Sequence, residues 1–115
     1  MKYLRKYNES YINIEDIKDI CLELTDLGIV ISISSTDAYR NKNVIYFHNY
    51  NIHNGMKWND VKDCLLRLKD YLGDKFIEFG YSSVTNLYYN HITELNEYTY
   101  IKEPINSMFL RYIDI

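Results

Sequence analysis

Proline and alanine each occur once in this sequence, at Pro104 and Ala38, and its four glycines stand apart at Gly28, Gly55, Gly73 and Gly80. That isolation excludes a phosphate-cradling loop, which needs closely spaced glycines, and leaves each one a turn, cap or bend role. Cysteine is scarce too. Cys21 and Cys64 lie beside apolar helical stripes, where a free thiol behaves as a small hydrophobe, and nothing signals an oxidising compartment that would favour a disulfide. A surplus of positive charge is missing: 13 Lys and Arg against 16 Asp and Glu leave −3, a balance unsuited to gripping a phosphate backbone. No apolar run approaches the roughly 18 residues of a membrane span, and no secretory h-region is present. These absences lead to the expectation of a cytoplasmic protein with no membrane attachment. At 115 residues it has the size of a single domain spanning 1–115, long enough to bury a core without metal or disulfide staples.

What is present is organised around residues 12–35, where a helical pattern runs directly into a strand pattern. Ile14, Ile17, Ile20, Cys21, Leu24 and Leu27 recur every three or four positions, which places them on one helical face. Asn13 is the expected N-cap, Glu15 and Asp16 suit the positive end of the helix dipole, and Ile12 is placed to pack on Ile17 as a staple. Gly28 supplies the stop. From Ile29 the period becomes two, with Ile29, Ile31 and Ile33 on one side and Val30, Ser32 and Ser34 on the other. Such a strand belongs to a sheet covered by helices on one face only.

Residues 36–43 read as a polar turn and 44–50 as a second strand, with Ile45 and Phe47 inward and Tyr46, His48 and Tyr50 outward; a slip of one residue would reverse this. Asn59 caps a second amphipathic helix over 60–72, whose apolar face is Val61, Cys64, Leu65, Leu68, Tyr71 and Leu72 and whose stop is Gly73. Residues 75–81 form a strand with a bulge or bend at Gly80. Residues 86–92 suit a strand, 93–98 a helical turn, and 107–115 a last strand with Met108, Leu110 and Tyr112 on one face. The predicted fold is α+β, a two-layer sandwich with an antiparallel sheet and two helices on one face. The helix sequences align without gaps from Asp16 on Asp60 to Asp26 on Asp70, which fits either an internal αββ repeat over 12–50 and 58–115 or convergence of two amphipathic helices. If residues 1–11 include an edge strand instead of an arm, the order becomes ferredoxin-like.

The opening KYLRKYNES, with Tyr7, Asn8, Glu9 and Ser10 ahead of a short acidic helix, resembles the start of small uncharacterised proteins from AT-rich tailed bacteriophages. The resemblance covers about a tenth of the chain and implies a viral origin; it carries no active site to transfer. The abundance of Ile, Asn, Tyr and Lys, all with AT-rich codons, is in keeping with such a genome.

Catalytic and metal chemistry find little support. His48, His53 and His91 fit no zinc spacing, and the carboxylates Glu15, Asp16, Asp19, Glu23, Asp26, Asp60, Asp63 and Asp70 read as solvated helix faces. No catalytic residue, metal site or cofactor is expected. The unusual feature is 13 tyrosines beside four phenylalanines and one tryptophan. Tyrosine combines a large stiff ring with a polar tip, as interfaces favour, although codon usage would also raise its count. Tyr46, His48, Tyr50, Tyr81, Tyr88 and Tyr112 are the candidate binding residues on the uncovered sheet face or its edges. The expected role is non-enzymatic binding of a protein partner or a second copy of the chain. Stacking of sheet tyrosines on single-stranded nucleic acid is the alternative, weakened by the charge and by the lack of an RNP-type motif.

Overall fold

The computed structural model describes residues 12–37, 42–49 and 55–113. Helices α1 (Ile14–Ile20) and α2 (Leu22–Asp26) lead into strands β1 (Ile29–Asp37) and β2 (Lys42–Asn49). Helix α3 (Trp58–Leu72) and a 3-10 turn (Gly73–Lys75) precede strands β3 (Phe76–Ser83), β4 (Asn90–Ile92) and β5 (Ile105–Ile113). The strands form one sheet in the order β1-β2-β5-β3-β4, and every pairing is antiparallel. The fold is therefore α+β, as the alternation of helical and strand periods predicts.

The single expected first helix is broken at Cys21, whose backbone leaves helical geometry. The buried stripe survives the break: Ile17, Ile20, Cys21 and Leu24 are enclosed, while Ile14 and Leu27 at its ends remain exposed. Asn13 accepts a hydrogen bond from the Glu15 amide at 2.8 Å, so the predicted cap is in place. Asp16 was expected on a solvated face and is buried instead. The Tyr71 hydroxyl, from α3, donates to its carboxylate at 3.2 Å and accepts from the Asn13 amide at 2.9 Å, so one phenol ties the start of α1 to the end of α3. The second predicted cap is also corrected. Lys57, with no capping side chain, precedes α3, and Asn59 lies exposed inside the first turn.

Helix α3 buries Trp58, Val61, Cys64, Leu65, Leu68, Tyr71 and Leu72 in one cluster with the α1 and α2 stripe. The same cluster takes Ile29 from β1, Ile45 and Phe47 from β2, Phe79 from β3, and Met108, Leu110 and Tyr112 from β5. These are alternate residues of each strand, so all three helices share one face of the sheet, an arrangement that fits two layers. Each fully buried Leu or Ile here contributes about 1.5–3 kcal/mol.

The strand order suits a tandem αββ arrangement. Hairpins β1-β2 and β3-β5 meet along β2 and β5, the Tyr46↔Phe109 pair lies between Ile45↔Leu110 and Phe47↔Met108, and β4 is an addition beside β3. The ferredoxin-like alternative depends on residues 1–11, which lie outside the described residues, as do Tyr50 and His53. β1 runs through residues placed in a turn by sequence. Only Asn90–Ile92 of the 86–92 segment is strand, and no helix forms over 93–98. Gly80 makes neither bulge nor bend: it pairs in register with both Phe109 and His91. Its missing side chain serves another purpose, because a Cβ there would collide with the Phe109 ring.

Candidate interaction surface

On the sheet face turned away from the helices, one row of paired residues crosses the whole sheet: Ser32, Tyr46, Phe109, Gly80 and His91. Phe109 is its centre, lying flat over Gly80 in the space that the glycine vacates. The rings of Tyr89 and His91 meet it edge-on with centroids 5.4 and 5.9 Å away, and the Arg111 guanidinium lies 5.1 Å from its centroid. Glu78 accepts from Arg111 and sits 2.9 Å from His91 Nδ1, so the cation over the ring is itself paired. Tyr89 and Ser82 both reach the Ser107 hydroxyl, at 2.8 and 3.0 Å. Beside this cluster, Tyr46 stacks on His48, whose Nε2 lies 2.9 Å from the Ser32 hydroxyl. Among the described residues no helix covers this face.

The sequence candidates do not all gather here. Tyr46 and His48 do. Tyr81 lies on the helix-facing side, stacked on Phe79 at 5.9 Å and packed on the core. Tyr112 is buried within the core, so its expected surface role is corrected; strand alternation puts Phe109 and Arg111 outward in its place. Tyr88 is on neither face. It projects from the segment between β3 and β4, 85% exposed.

That segment and the one after β4 hold the residues that sequence reasoning missed. Tyr98 is as exposed as Tyr88, and Tyr100 is 70% exposed. Both Tyr88 and Tyr98 stand two positions after an asparagine, and in each case the Asn side-chain oxygen accepts the tyrosine amide, at 3.1 Å from Asn86 and 2.8 Å from Asn96. The asparagine closes a local turn that mimics a backbone turn and holds the following tyrosine outward. The repeated Asn-x-Tyr spacing was a readable signal.

The backbone beneath is fastened to the body of the protein. Leu95 and Ile101 insert into the core. The Trp58 indole donates to the Thr99 carbonyl at 2.8 Å, Lys62 donates to the Glu97 carbonyl at 2.6 Å, and Lys69 donates to the Leu95 carbonyl. Thr85 donates to Glu103, and the Thr85 and Ser83 hydroxyls hold the Glu103 carboxyl below its ordinary range. A hollow of about 320 Å³ lies between the two segments, lined by Tyr81, Thr85, Asn86, Asn90, Tyr100 and Lys102 among others.

The cysteines are both buried and free. Cys64 donates to the Ile20 carbonyl at 3.5 Å, and the hydrogen bond between the two thiols, with burial, pushes Cys21 far above its ordinary range. Among the described residues no three His, Cys, Asp or Glu side chains are grouped to hold a metal ion, and no helix is long and apolar enough to cross a membrane. Comparison with family models, curated proteins and solved structures finds no match for this chain.

Proposed function

We propose that this chain is a non-enzymatic interaction module that binds a protein partner chiefly through the tyrosines of residues 84–104, with Tyr46 and His48 on the reverse sheet face as a secondary contact. One observation carries the reading: Tyr88 and Tyr98 are both 85% exposed yet both stand on turns closed by an asparagine side chain. A large ring on an ordered backbone is what an interface anchor requires, because little conformational freedom remains to be lost on binding. Leu87 and Tyr100 extend the same exposed surface. If the phage-like opening reflects origin, the partner is a host protein and the chain an accessory or regulatory factor acting in the host cytoplasm.

The nucleic-acid alternative has its own observation, the ring row of Tyr46, Phe109 and His91 on the sheet. Phe109 is buried beneath its neighbours, however, and Arg111 is committed to Glu78, so the stacking surface and its nearest cation are both occupied.

The test compares immobilised wild-type protein with a Tyr88→Ser/Tyr98→Ser/Tyr100→Ser variant of unchanged melting temperature. A defined protein retained by the first and lost by the second supports the proposal. Equal retention on both, or retention on neither, overturns it. A salt-sensitive rise in the anisotropy of a labelled single-stranded oligonucleotide would instead favour the alternative.

A further inference from the structure

Two thiols meet inside the helical layer. Cys21 stands at the joint where α1 ends and α2 begins, and Cys64 lies near the middle of α3. Both are free, and both are enclosed in the hydrophobic cluster with Ile17, Ile20 and Leu24 from the first two helices and Val61, Leu65 and Leu68 from α3. The Cys64 sulfur is 3.5 Å from the Ile20 carbonyl oxygen, whose carbon is bonded to the Cys21 nitrogen, and the two thiols are hydrogen-bonded to each other. Packing alone asks only for small apolar groups at these positions. Two sulfurs in contact are also the reactants for one covalent bond.

We propose that Cys21 and Cys64 form a reversible cross-link, closing to a disulfide when the protein meets a small-molecule disulfide such as oxidised glutathione, and so stapling the joint between α1 and α2 to α3. The exchange takes two steps. The thiolate of one cysteine attacks a sulfur of the small disulfide, and the first glutathione leaves as a thiolate that takes up a proton. The second cysteine, also as thiolate, then attacks the protein sulfur of this mixed disulfide and expels the second glutathione, which is protonated in turn. The protein loses two protons and two electrons, and the small disulfide gains both.

Neither step runs while the pair is enclosed. Burial and the bond between the thiols hold Cys21 far above its ordinary range, whereas only a thiolate attacks. Both residues are 0% exposed, so glutathione has no path to either sulfur. Reaction therefore waits for the first two helices to lift from α3. They are suited to open first, because helices of seven and five residues do not hold without packing, and Ile14, Leu22 and Leu27 lie exposed along them. When they seat again, the sulfurs pass from contact to a bond length of about 2 Å. The bond then joins positions 21 and 64, enclosing a loop long enough for the cross-link to stabilise the folded chain. Opening admits oxidation, and oxidation prevents further opening.

Incubation of the native protein with oxidised glutathione, a quench with iodoacetamide and an intact mass test this. The expected product is a monomer lighter by two hydrogen atoms, with no alkyl group and no glutathione attached. It forms faster in urea below the unfolding transition, melts above the reduced protein, and returns to the starting mass and melting temperature in dithiothreitol. Two alkylated thiols even in urea, a persistent mixed disulfide, a disulfide-linked dimer, or an oxidised monomer that melts lower each overturns the proposal. Cys21→Ala and Cys64→Ala each abolish the rise in melting temperature on oxidation; a rise that persists in either variant also overturns it. Neither cysteine contributes to the tyrosine surface, so the two proposals stand or fall independently.

Discussion

The two rims of the sheet present different materials. Around β1 the exposed apolar groups are aliphatic, Ile14, Leu22, Leu27 and Val30, and the strand offers its own backbone. Around β3, β4 and β5 they are mainly aromatic, Tyr88, Tyr89, Tyr98 and Tyr100, and the backbone is already consumed by turns and by bonds to α3. An edge that lends backbone recognises almost any extended strand and gains selectivity from its flanks; a fastened loop that lends rings recognises shape. One small sheet therefore exposes chemically different groups at its two rims, and perturbing either rim should leave the other intact.

The sharpest way to separate them is at Trp58. Trp58→Ala leaves a void beside Phe79 and removes the bond to the Thr99 carbonyl, so stability in urea should fall by about 3–5 kcal/mol, and near-native hydrogen exchange should rise at residues 95–101 before it rises in β1. Gly80→Val comes next. It drives a side chain into the Phe109 ring and should cost about 1–3 kcal/mol, with large NMR shifts at Tyr89 and His91 and small ones along β1. Asn96→Ala removes one turn closure and should cost about 0.5–1.5 kcal/mol, seen as faster exchange of the Tyr98 amide while Tyr88 keeps its protection. The smallest effect is electrostatic. Because Glu103 is held below the ordinary carboxylate range by Thr85 and Ser83, its contribution is complete above that range and disappears as pH falls through the lowered value. Local protection of the Asn86 amide should decline in that acidic window, and Glu103→Gln should remove the pH dependence.

Much of the scaffold could be read from the residues. The three- and four-residue spacing of Val61 to Leu72 and the alternation of Ile45 with Phe47 announce their faces directly, since burial imposes those periods. Asp16 could not be read: an acid in a first turn looks solvated unless one knows that Tyr71, 55 positions away, delivers a hydroxyl to it. Tyr112 was misplaced for a different reason. Alternation along β5 places it with Met108 and Leu110 on the inward face, whereas its phenol chemistry alone points to the surface. Residues 95–99 are opaque because side-chain bonds from α3 to their backbone carbonyls, between residues 26 to 41 positions apart, shape them, and residues 83–86 because local bonds and those to Glu103 and Pro104 do; such bonds leave no periodic trace. Of the site, Tyr46 and Tyr88 are legible as exposed rings and His48 as a half-buried neighbour of Tyr46 on the same face; the paired Asn-x-Tyr turns are visible in the spacing.

The sequence holds one tryptophan, and its indole is enclosed with its N–H engaged by a carbonyl of the tyrosine-bearing segment. The protein therefore carries a built-in optical gauge: emission from Trp58 should be blue-shifted while that segment is seated and move to longer wavelength when it lifts, so that its seating can be followed in real time without a dye.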